Sequence, residues 1–143
     1  MHTIKKHAYE YSVTLPVSFH DTDAMGVIWH GNYLKYFEIA REGLFNEHGL
    51  DYTAMEKSGY VYPVIEEKIR YPKAITAYSK QLKVRAYLEE VLNRVKVGFE
   101  VYNEQDELCA FGYTIQVAVK QQSHELCLEV PIEFSRCFPE LKN

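Results

Sequence analysis

The chain has 143 residues, 47% of them hydrophobic and 25% charged, enough for one globular domain with a core of its own. Lys and Arg number 16 against 20 Asp and Glu, a net charge of -4 that excludes the basic excess of a general nucleic-acid binder. Three cysteines without CxxC spacing (Cys109, Cys127, Cys137), a start (MHTIKKHAYEYS) without an apolar signal core, and no apolar run near membrane length predict a reduced, cytoplasmic chain with no membrane span.

Residues 8 to 19 alternate, with Tyr9, Tyr11, Val13, Leu15, Val17 and Phe19 on one face, and predict a half-buried strand. Pro16 offers no N–H, so that strand belongs at a sheet edge or carries a bulge. A polar elbow follows, His20-Asp21-Thr22-Asp23-Ala24-Met25-Gly26, then Trp29-His30-Gly31-Asn32. Gly31 or Asn32 is the expected N-cap of a helix that carries Tyr33, Phe37, Ala40 and Leu44 at helical spacing. Leu34, Tyr36, Ile39 and Phe45 add apolar surface on its other sides, which predicts a helix buried nearly all round, ending near His48-Gly49.

Leu50 to Gly59 reads as a polar connection with a short helical turn. Four strand-like runs come next, over residues 60–71, 80–89, 94–102 and 108–119, the last with Phe111, Tyr113, Ile115, Val117 and Val119 on one face. Turns at 89–93 and 103–107 are short enough for hairpins, and the tail from Pro131 suits one more helical turn. Strand, apolar helix, then mostly antiparallel strands is an α+β order, in which a sheet must curl around the helix to bury it.

The elbow is the chemically dense stretch. A carboxylate ahead of a helix N-terminus can activate water or attack a carbonyl, while free backbone N–H groups there stabilise the oxyanion. Each candidate also has a plainer reading. Asp23 and Asp21 suit turn hydrogen bonds to their own loop. Asn32 suits a helix cap, and His30 serves equally as a substrate contact, as an orienter of Asp23 or as a turn residue. Glu38 has Arg41 three residues on, a spacing for an ion pair. Lys68, Arg70, Lys83, Arg85, Arg94 and Lys96 lie on polar strand faces and rank low as phosphate partners.

The run from Asp21 to Tyr33, DTDAMGVIWHGNY, followed by Leu34, Phe37, Glu38, Ala40 and Arg41, resembles the signature of the 4-hydroxybenzoyl-CoA thioesterase family of hotdog folds, close to its Tol–Pal-associated bacterial acyl-CoA thioesterases. Ile69 to Ala74 (IRYPKA) resembles that family's strand ending, a weaker match. The resemblance spans about residues 10 to 120. It implies a single hotdog domain over 1–143: a curved antiparallel sheet of about five strands wrapped around one long central helix. It implies acyl-CoA thioester hydrolysis without metal or organic cofactor, in dimers or tetramers with sites at the subunit interface.

By motif position Asp23 becomes the catalytic base or nucleophile, with the N–H groups near His30 and Gly31 as oxyanion donors. Asp21, Met25, Trp29 and Asn32 surround the substrate. The Trp29-His30 and Gly31-Asn32 pairs depart mildly from the family pattern. The alternative is a non-catalytic hotdog module that binds acyl-CoA or an acyl carrier protein. A dehydratase on the same fold lacks its usual histidine and acid on the helix here.

Overall fold

The computed structural model describes residues 6–141, so the first five and last two residues of the expected 1–143 domain lie outside the described residues. β1 (Glu10–Pro16) alternates half-buried and exposed side chains, as its sequence requires. It is an edge strand, and Pro16 ends it where a missing N–H costs no ladder bond. Phe19 departs from expectation: the chain turns at Ser18 into a short 3-10 turn (Phe19–Asp21), which rotates Phe19 off the core face and leaves it 81% exposed.

The long helix α1 (Asn32–Asn46) ends as predicted. Gly49 takes a left-handed φ of 77°, and the Leu50 and Gly49 N–H groups reach back to Phe45 and Asn46 carbonyls. A seven-residue helix, α2 (Tyr52–Ser58), fills the polar connection, capped by the Asp51 side chain and closed by Gly59 at φ 85°.

β2 (Tyr60–Val61) and β3 (Val64–Arg70) share the first strand-like run after the helices. β4 (Gln81–Glu90), β5 (Val95–Tyr102) and β6 (Leu108–Gln116) follow as hairpin neighbours. Short β7 (Val119–Lys120) pairs with β2, and α3 (Ile132–Ser135) is the expected last turn. The main sheet has the order β1-β4-β5-β6-β3, antiparallel throughout. This is the expected α+β architecture of five strands around one helix.

The core lies between α1 and the inner face of that sheet. Phe37 stacks on Phe99 with ring centroids 4.3 Å apart, surrounded by Ala40, Leu44, Val84, Leu88 and Val97. One facing assignment made from periodicity is overturned. α1 is buried on one side only, and Lys35, Glu38, Ile39 and Glu42 are exposed on the other, because a single sheet covers one helix face. In β6 the side chains aligned with the helix-facing residues of β5 are Ala110, Gly112, Thr114 and Gln116, and Phe111, Tyr113 and Ile115 take the outer face. The sheet is tightest at Gly112, where a Cβ would stand 1.8 Å from the Lys68 carbonyl oxygen. Ala110, Gly112 and Thr114 put little bulk on the inner face, while Phe111, Tyr113 and Ile115 put theirs outside.

On the outer face Arg85 is buried between Glu100 and Glu10, 2.6 Å from each, and the Tyr102 hydroxyl donates to Glu100. That removes Arg85 from the candidate phosphate ligands. Arg94 and Lys96 are paired with Glu90 and Glu89.

Candidate active site at the elbow before α1

The elbow is a miniature ladder. Thr22 bridges Ile28, the Asp23 N–H donates to Val27 and the Trp29 N–H donates to Asp21. Gly26, at φ 78°, turns the chain between the two arms. A second layer of bonds comes from the loop before β4: Ile28 donates to Ile75, and Ala77 donates to Gly26. Sequence reasoning read that loop only as far as Ala74. Its one signal was Ile75, an apolar side chain in a polar link, and it is 1% exposed.

The two aspartates have different work. Asp21 Oδ2 accepts from the Ser18 N–H at 2.8 Å in a capping box around the 3-10 turn, so its carboxylate is structural. Asp23 Oδ1 accepts from the Met25 N–H at 2.9 Å, the turn bond that its plainer reading expected. Its second oxygen has no hydrogen-bond partner among the described residues, and the side chain is half-exposed. One oxygen therefore sets the orientation and the other remains open to a reactant.

Asn32 is not the cap. Gly31 occupies the N-cap without a side-chain bond, and Asn32 is the first helical residue, buried, donating from Nδ2 to the Asp21 carbonyl at 2.8 Å. The Asn32 and Tyr33 N–H groups turn back to Trp29 and His30 carbonyls. The His30 and Gly31 N–H groups meet no acceptor among the described residues. Gly31 leaves room for the Trp29 ring: a Cβ there would stand 2.4 Å from the indole, which lies across it. Trp29 (49% exposed), Met25 (84% exposed) and the His30 ring beside the indole form an open rim.

Glu38 and Arg41 do not pair among the described residues. Arg41 turns inward and donates to Thr114 Oγ1 at 3.1 Å, and burial lowers its pKa despite the nearby carboxylates of Glu38 and Glu67. Glu38 stays exposed on the outward side of α1. Tyr36, which the sequence offered only as an apolar contact, has a buried hydroxyl with no partner among the described residues. Burial, with the Asp21 charge adding to it, pushes its phenol up to about 12, so it stays neutral.

Residues 17–138 match the Thioesterase-like superfamily. The chain belongs to that superfamily and is a thioester hydrolase with the hotdog fold. It is 30% identical over 141 residues to a Bacillus subtilis protein named "Putative acyl-CoA thioesterase YneP", covering 98% of this chain and 93% of that one. Its fold superposes on the DHNA-CoA thioesterase of Staphylococcus aureus with a TM-score of 0.76 and 31% identity, over 92% of this chain and 85% of the other. A 1,4-dihydroxy-2-naphthoyl-CoA hydrolase of Thermosynechococcus vestitus is 29% identical over 80% of this chain and 73% of its own.

Proposed function

We propose that this protein hydrolyses acyl-CoA thioesters, with Asp23 as general base on water or as nucleophile, and with the backbone N–H groups of His30 and Gly31 as the oxyanion site. The observation that carries this reading is the division of labour at Asp23: one carboxylate oxygen fixed by the Met25 N–H, the other open, on an elbow that leads directly into the N-terminus of α1. Coenzyme A leaves as a thiolate and needs little protonation, so one carboxylate and one oxyanion site are a sufficient set. Nothing in the chemistry calls for a metal or an organic cofactor. Met25, Trp29 and His30 border the substrate, while Asp21 and Asn32 hold the elbow in place.

On its elbow signature the protein sits nearest the 4-hydroxybenzoyl-CoA thioesterase branch and its Tol–Pal-associated members, acting in the cytoplasm. It works as a dimer or tetramer. Supporting this, β3 is a sheet edge with one unpaired side, and Ile65 on it is 60% exposed.

The test is hydrolysis of acetyl-, lauroyl-, palmitoyl-, benzoyl- and 1,4-dihydroxy-2-naphthoyl-CoA by wild type and Asp23→Asn, with released coenzyme A trapped by a thiol reagent. A fall of about a hundredfold or more in kcat, with light scattering and melting unchanged, supports the reading. Binding of acyl-CoA without turnover by the wild type would make it a binding module instead.

A further inference from the structure

α2 is only partly covered, with the Met55 side chain packed against the core. None of its seven residues is buried, although it lies between the end of α1 and β2. Glycines flank it at both ends, Gly49 at φ 77° and Gly59 at φ 85°, and each faces open space. From the rest of the fold, its backbone is held by Gln121, whose Nε2 donates to the Glu56 carbonyl at 3.2 Å and to Tyr60 at 3.4 Å. The Gln121 N–H also donates to the Gly59 carbonyl, so the C-terminal end is anchored and the Gly49 end is the freer one; a short, partly covered helix held in this way has the build of a lid.

Beneath it runs a groove of about 330 Å³, walled by Phe45, Leu50, Met55 and Tyr62, with Glu38, Arg41 and Glu42 at its mouth. Gln116 stands in the same wall, and its Oε1 is buried without a hydrogen-bond partner. Helical spacing sets the groove in line with the elbow. Gly31, Leu34, Glu38, Arg41 and Phe45 fall on one stripe of α1, with Gly31 at its head. The stripe reaches Glu38 after about 10 Å of helix rise and Phe45 after about 20 Å. Two carboxylates against one guanidinium make the mouth net negative, which disfavours the phosphates of coenzyme A. The apolar depth suits the other half of the thioester.

Resting on the acyl-CoA reading above, we infer that this groove takes the distal part of a long acyl chain, and that α2 is the lid that closes over it, with Met55 setting the chain length accepted. Short acyl groups react at the elbow without reaching the groove. Long chains reach it and order α2 as they enter.

The test compares lauroyl-CoA with acetyl-CoA in wild type and Met55→Trp, and follows hydrogen exchange of the amides of residues 52–58 with a non-hydrolysable lauroyl-CoA thioether. The expected result is a fall of tenfold or more in kcat/KM for lauroyl-CoA in Met55→Trp, with acetyl-CoA within twofold. The thioether should slow exchange in α2 at least fivefold where coenzyme A alone does not, and Gln121→Ala should speed exchange in the free protein. Equal effects of Met55→Trp on both substrates, or no effect on either, together with unchanged exchange, overturn the lid. If the wild type hydrolyses neither substrate yet the thioether protects α2, the groove stands and the thioesterase reading falls.

Discussion

The side-chain amide of Asn32 donates to the main-chain carbonyl of Asp21 at 2.8 Å, joining the first residue of α1 to the elbow eleven positions earlier. The Trp29 N–H donates to the same carbonyl. This pair of bonds is what keeps the carboxylate arm of the elbow beside the helix N-terminus. Asn32→Leu removes the side-chain bond in a buried setting and should lower stability by about 1–3 kcal/mol. It should also lower kcat for the best acyl-CoA by tenfold or more, because the elbow is released from the helix. Thermal melting and steady-state kinetics on one preparation separate the two losses. A destabilised variant with undiminished kcat would assign Asn32 to the fold alone.

Asp23→Asn keeps an oxygen that can accept from the Met25 N–H, so the turn is preserved while the carboxylate charge is lost. Melting temperature should therefore hold within about a degree or two, as for a surface change of under about 0.5 kcal/mol. Turnover should fall about a hundredfold or more. A large drop in melting temperature would show that the charge also supports the loop.

Gly31→Ala places a methyl group where the Trp29 ring lies, 2.4 Å from its nearest atoms. Overpacking of this kind costs about 1–3 kcal/mol unless the indole moves. Tryptophan emission, from the single Trp of the chain, should shift as the ring is displaced, and turnover should fall with it. Combining Gly31→Ala with Trp29→Ala should recover most of the lost stability, since the clash needs both side chains. Additive losses in the double variant would argue against the contact.

Partial burial works to raise the pKa of Glu10, but its bond to Arg85, the His7 N–H and the Arg85 charge outweigh that and hold it below the usual carboxylate value of 4.5. A lowered folded-state pKa stabilises the protein above the unfolded value, and the contribution is lost as pH falls through the folded one. Wild-type stability should therefore decline below about pH 4.5, and Glu10→Gln should flatten that part of the decline. The effect is modest, because the Glu10 side chain is 39% exposed and screened by solvent. Urea midpoints measured from pH 3 to pH 7 for both proteins provide the comparison.

Phe37→Ala empties the stacked pair with Phe99 at a position with no solvent exposure. Loss of a buried phenylalanine costs about 3–5 kcal/mol, enough to consume a large part of a typical domain's stability. A loss of under about 1 kcal/mol in denaturant unfolding would mean that the core collapses around the gap.

Several features of the elbow could be read from the chain because they are local. Asp21 and Asp23 bond within three residues of themselves, and the N-terminus of α1 falls at Gly31-Asn32, as its left-handed end falls at Gly49. The contacts that hold the elbow against the body were not legible, since Ile75 and Ala77 meet it across about fifty residues of chain. Glu38 and Arg41 show the same limit: their spacing allows an ion pair, but Thr114, far along the sequence, takes the arginine.

The sequence alone determined the order and kind of the main elements, restricted β1 to an edge or a bulge, and set the chemical content of the elbow. Periodicity, turn residues and proline restrictions all act within a few residues. The tertiary structure decided which face of each element turns inward. Strand alternation makes β6 equally able to present Phe111 and Tyr113 or Ala110 and Thr114, and the choice fell to the space left under α1 and the close approach of β3 at Gly112. It also decided that α1 keeps one face uncovered, because the area of the sheet, and not the composition of the helix, sets how much of it is buried.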